Sequence, residues 1–141
     1  MKKTILFLCC CLLATAGLRA NQLTIVNTLL CDFDFYFMMG SPDIHSNNVF
    51  IPANFNTVYP DGTAVPTIWS MPLTPAQLAA ANFTSVMFHP IDPTPGSSGY
   101  GFLSPTNTTY SSTPYAPACN SSTAYNATWI PAPPNVIVLL Y

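Results

Sequence analysis

The ionisable side chains of this chain are few and fall in short groups. Asp32 and Asp34 lie two apart in Cys31-Asp-Phe-Asp-Phe35. On an extended strand that spacing puts both carboxylates on one face, about 7 Å apart. Such a pair is the beginning of a Ca²⁺ site, since that ion gathers roughly six to eight oxygens. Asp43-Ile-His45 and His89-Pro-Ile-Asp92 are the two places where His and Asp are close in sequence. Asp32, Asp34, His45 and His89 therefore form the candidate metal set, with Met38, Met39, Met71 or Met87 as soft donors if folding brings them near. The plainer account is a polar strand face over a Phe-rich one, and two isolated histidines that bond locally. No Asp-x-Asp-x-Asp-Gly loop strengthens the metal reading, and no cofactor is expected. No Gly-x-Ser-x-Gly elbow is present either. A Ser-His-Asp arrangement is assembled from distant positions and stays open at this level. A hydrolase or metal-binding protein is accordingly the third functional reading.

A second set is aromatic: Trp69, Tyr100, Tyr110, Tyr115, Tyr125 and Trp129. Rings on the rim of a β-sandwich can stack on sugar faces while neighbouring Asn, Ser and Asp bind hydroxyls. That chemistry needs no cation. The same residue types also fill cores and anchor protein interfaces.

The absence of cations is the strongest constraint on partners. All three basic residues, Lys2, Lys3 and Arg19, lie in the first nineteen positions, and the five acidic residues are all Asp. Met1-Lys2-Lys3, an apolar run from Thr4 to Leu18 and a small residue at Ala20 have the form of a secretory signal cut after residue 20. The apolar run is too short for a membrane span. The mature chain, 21–141, would then carry five Asp and no Lys or Arg, a charge of about −5 with His neutral. Nucleic-acid binding is excluded, because neutralising phosphates takes Lys or Arg. Anionic lipid surfaces are disfavoured on the same ground. Three of the five Cys fall in the signal, leaving Cys31 and Cys119. Two Cys in an exported chain most simply form a disulfide. The expected location is secreted, in the periplasm or outside the cell.

The elements that must position these residues are mostly strands. Leu23–Asn27 reads as one. In 31–39, Cys31, Phe33, Phe35, Phe37 and Met39 alternate with Asp32, Asp34, Tyr36 and Met38, which places the first set in the core. Gly40-Ser-Pro-Asp43 is expected to turn. Val49–Ile51 and Asn56–Tyr59 are short strands around Pro52, and Tyr59-Pro-Asp-Gly62 is a turn. Residues 64–69 are expected to form a strand broken at Pro66. Residues 75–81 are the expected helix, with Thr74 and Gln77 as a capping box and Leu78 packed on the sheets. Residues 83–89 alternate again, and the long stretch 91–118 is expected to hide short strands such as 99–103. A strand at 123–130, a rigid turn at 131–135 and an apolar closing strand at 136–140 complete the chain. Low charge and apolar strands give an edge-pairing tendency, so self-association through 136–141 is an expectation.

About seven short strands with one crossover helix predict a single all-β domain, an antiparallel β-sandwich, with a small β-barrel as the alternative. The opening Leu23-Thr-Ile-Val-Asn27, then Cys31 and an alternating strand, resembles small secreted bacterial β-sandwich proteins. The resemblance implies the sandwich fold and an extracellular or envelope setting, and assigns no functional residue. Thaumatin-like proteins open comparably but carry many more Cys. The function these observations favour is a non-enzymatic surface-interaction protein whose partner is a protein or a neutral glycan.

Overall fold

A computed structural model describes residues 21–91 and 99–141 and, for 41–43, the backbone alone. The expected signal at 1–20, Asp92 and the Asp43 side chain lie outside the described residues. The strands in chain order are β1 (Leu23–Asn27), β2 (Phe33–Met39), β3 (Ser41–His45), β4 (Val49–Ile51), β5 (Asn56–Tyr59), β6 (Phe83–Pro90), β7 (Gly101–Leu103), β8 (Thr109–Ser111), β9 (Asn126–Ala132) and β10 (Asn135–Leu140). One α-helix, α1 (Pro75–Ala80), joins β5 to β6. Sheet one has the order β5-β1-β10-β9-β8, and sheet two the order β3-β2-β6-β7 with β4 also paired to β2. All pairings are antiparallel except β1 with β10. The fold is an all-β sandwich with no closed barrel. The ten strands among the described residues exceed the expected number; 41–45 and 109–111 are strands that the sequence pattern did not announce.

The core lies between the sheets and follows from the alternation in β2. Cys31, Phe33, Phe35, Phe37 and Met39 are all fully buried. Phe33 meets Tyr125 from sheet one edge-on at 5.3 Å, and Phe35 stacks on Phe88 at 5.3 Å. A β-bulge interrupts the partner strand. The register passes from Met38 opposite Ser85 to Met39 opposite Phe83, so Thr84 is the extra residue. Phe83 and Val86 thereby both face the core although three positions separate them. The Thr84 hydroxyl donates to the Met38 carbonyl at 3.2 Å.

Several expectations need correction. The chain does not spend 40–43 on a turn: Gly40, at φ +63°, reverses it alone, and Ser41 already pairs with Met39. Residues 64–69 are not a strand. Asp61 accepts from Thr63 N at 2.8 Å and caps a 3-10 turn at Gly62–Ala64. Beyond Pro66, which has no N–H to give a ladder, only 67–70 runs beside 45–47, through Asn47 N to Ile68 O at 3.0 Å and Ser70 N to His45 O at 2.8 Å. The α1 capping box forms as expected, with Gln77 N donating to Thr74 Oγ1 at 3.3 Å and Thr74 N to Gln77 Oε1 at 2.9 Å. The helix buries none of its residues, however, and Leu78 is only half-buried against the Gly62–Ala64 turn. Finally, β10 is central. It pairs with β1 on one side and β9 on the other, so self-association through 136–141 has no free edge to use.

Cys31 and Cys119 form the expected disulfide, with Cα atoms 5.0 Å apart and a sequence separation of 88. It ties the entry to β2 to the Ala118–Asn120 turn that precedes β9.

Candidate functional site

The outward face of sheet two carries the polar half of the β2 alternation. Because β2 is flanked by β3 and β4 on one side and β6 on the other, its outward residues gain cross-strand neighbours in rows. Asp34 stands opposite Phe50 of β4 and opposite His89 of β6. Tyr36 stands opposite Met87, which stands opposite Phe102 of β7. Met38 stands opposite His45 and Ser85, and the Ser85 hydroxyl reaches Met38 Sδ at 3.0 Å.

The first row holds most of the polar groups. His89 Nε2 lies 3.9 Å from Asp34 Oδ2, and both side chains keep about a fifth of their surface open, at 19% and 22%. Asn48 Nδ2 donates to the same Asp34 oxygen at 3.2 Å. The Tyr100 ring meets the His89 ring edge-on at 4.7 Å, and the Tyr36 ring lies 6.4 Å away at a shallow tilt. Phe50, Tyr100 and Phe102 are exposed at 56%, 60% and 41%. Carboxylate, imidazole and amide thus stand within a field of open rings with no cation among the described residues. Such a face supplies flat apolar area for stacking and a small group of acceptors and donors for hydroxyls.

The six aromatic residues picked out from sequence separate sharply. Tyr125 and Trp129 are core residues, at 1% and 2% exposed. Tyr110 is half-buried, edge-on to Phe88 at 5.4 Å, and burial raises its pKa. Burial likewise pushes the Tyr125 phenol far up, with Tyr110 adding to the effect. Trp69 is half-buried against the core. Only Tyr100 and Tyr115 are open. Tyr115 lies over the Gly99 backbone, where an added Cβ would come within 2.8 Å of its ring, beside the base of Tyr100. Trp129 as a rim residue is therefore corrected: the inward register of β9 puts it in the core with Tyr125.

The metal set also separates. Asp34 and His89 come together, as above. Asp32 turns away to accept Ala53 N at 2.7 Å, an ordinary loop-fixing role. His45 is exposed opposite Met38, four positions along β2 from Asp34, or about 13 Å by strand rise. Among the described residues no three His, Cys, Asp or Glu side chains gather as a metal site would require.

Tyr36, Asn48, Phe50 and Phe102 were missed as site residues, and Met87 was considered only as a soft metal donor. Two had a local signal. Phe50 sits between buried Val49 and Ile51, and Phe102 between buried Gly101 and Leu103, so period two turns both rings outward. Their convergence on Asp34 and Tyr36 depends on pairings that no local pattern announces. No protein-family model matches this chain, and comparison with curated proteins and with solved structures finds no match.

Proposed function

We propose that the protein is a secreted, non-enzymatic β-sandwich that binds a neutral glycan on the outward face of sheet two. One observation carries this reading: Tyr100, His89, Asp34, Asn48 and Phe50 stand side by side on a single open face. Pyranose rings present a C–H face that stacks on aromatics, and their hydroxyls suit a carboxylate, an imidazole and an amide. A neutral ligand also suits a chain whose residues from 21 onward include five Asp and no Lys or Arg. Export is supported by the form of residues 1–20 and by the Cys31–Cys119 disulfide. No helix among the described residues is long and apolar enough to cross a membrane.

The test is a neutral-glycan array followed by calorimetry on the best ligand. Tyr100→Ala should weaken binding about three- to tenfold, the worth of one aromatic stack. Asp34→Asn should weaken it by a similar factor while leaving the melting temperature within a few degrees. Trp129→Ala is unsuitable, because it removes a core residue. An array without retained ligand, or affinity indifferent to both variants, ends the proposal.

A competing reading, a protein partner on the same face, is favoured by Ile68. It is 75% exposed and borders the face beside Asn47. Ile68→Asp separates the two: it should leave glycan affinity unchanged and abolish a protein contact.

A further inference from the structure

A pocket of about 320 Å³ opens at the tip of the β9–β10 hairpin, away from the ring-bearing site. Phe83, at its wall, and His89 stand at opposite ends of β6. Its sides are pyrrolidine rings: Pro105, Pro131, Pro133 and Pro134. Trp129 lines it from the core side, 2% exposed. Each proline has a fixed φ and no backbone N–H, so this wall is preformed and needs little ordering when a ligand enters. Among the nine lining residues, the polar ones are Asn82 and Asn135. Asn135 Oδ1 accepts Gln22 N at 3.0 Å, which leaves its amide N–H groups for a ligand. The exposed Asn82 side chain has no hydrogen-bond partner among the described residues.

We propose that this pocket binds a small neutral aromatic molecule carrying one hydrogen-bond acceptor. Pyrrolidine C–H groups form an apolar slot that suits the faces and edges of a planar ring, with the buried Trp129 closing its floor. The volume lies at the low end of small-molecule sites, roughly 300–1,000 Å³, enough for a single ring system. Two amides are too few for the many hydroxyls of a sugar, and they suffice for one acceptor. None of the lining residues is charged, so an anionic aromatic would find no counter-charge there.

The probe is phenol, with cyclohexanol as its aliphatic counterpart, titrated into the folded protein and followed by nitrogen-edited NMR. The chain has two Trp, so Trp69→Phe identifies the Trp129 indole N–H signal. Phenol should shift that signal saturably, with half-saturation at about millimolar concentration. Cyclohexanol should bind at least about tenfold more weakly. Asn82→Ala should weaken phenol about fivefold, the worth of one hydrogen bond. Pro105→Phe, a plug at an exposed position, should abolish binding while the remaining spectrum stays native; Pro131→Phe serves the same purpose if the first variant misfolds. No saturable shift, equal binding of cyclohexanol, or unchanged phenol binding in a folded plugged variant would overturn the proposal. Unchanged affinity in Asn82→Ala would overturn the assigned acceptor contact.

Discussion

Asn27 shows how much of this fold one side chain can hold. It is 1% exposed at the end of β1. Its Nδ2 donates to the carbonyls of Cys31 at 2.9 Å and Pro52 at 2.8 Å, and its Oδ1 accepts Leu29 N at 3.1 Å. It thus binds three backbone groups in two loop segments, 29–31 and 52, including the entry to the disulfide. Asn27→Ala leaves these buried groups without partners, so it should cost about 2–4 kcal/mol in urea unfolding. A loss under about 1 kcal/mol would mean that water replaces the amide. Nothing local in Leu23-Thr-Ile-Val-Asn27 distinguishes this Asn from a strand-ending one. The core aromatics of β2 were legible because period two needs only neighbours in sequence. The site around Asp34 was legible by half: Asp34, His89 and Tyr100 stood out by type. Tyr36, Phe50 and Phe102 acquire their role only from pairings up to 66 positions apart, as with Tyr36 and the Phe102 that shares its row through Met87.

Elements with strong local chemistry were the easiest to read. The helix is fixed by Thr74, Pro75 and Gln77, and it forms where they place it. Its tertiary packing was not legible, because the sequence offers Leu78 a sheet while the Gly62 turn takes it instead. An exposed six-residue helix owes little to burial, so its cap matters locally. Thr74→Ala should cost the helix about 1 kcal/mol and speed amide exchange at Leu78 and Ala81, whose N–H groups bond to Thr74 O and Gln77 O. Global unfolding should move by less than that, since no core residue is touched. A large global loss would show that α1 is part of the cooperative unit. The misread stretch 64–69 has the opposite lesson. Its residues include Val65, Ile68 and Trp69, of strand-forming type, yet Pro66 denies the ladder an N–H, and Asp61 draws the preceding residues into a capped turn. The place of β10 was illegible for a third reason. An apolar run at a chain end looks like an edge or a centre equally well until β1 is seen to pair with it in parallel.

At the scale of the whole molecule, the disulfide and the missing cations set the response to conditions. The bridge closes 88 positions, so Cys31→Ala with Cys119→Ala should lower stability by roughly 2–5 kcal/mol. The charge pattern makes the alkaline limb unusually simple. From residue 21 onward there is no Lys, and both Cys are oxidised, so above about pH 9 the side chains that titrate are tyrosines. Burial pushes Tyr59 up to about 12 from its ordinary 10.0, and raises Tyr110 and Tyr125 as well. The unfolded chain therefore releases these protons first. The raised groups stabilise the fold fully below pH 10, and that contribution is lost as pH climbs from 10 through about 12. Urea midpoints measured on the chain from Asn21 should be level between pH 8 and 9 and should fall from pH 10 upward. Tyr59→Phe should make the fall shallower without removing it, since Tyr110 and Tyr125 still titrate. A midpoint unchanged to pH 11.5 would mean that the phenols ionise in place. That would require water to reach Tyr59, which is only 6% exposed between Phe37 and the edge of sheet one.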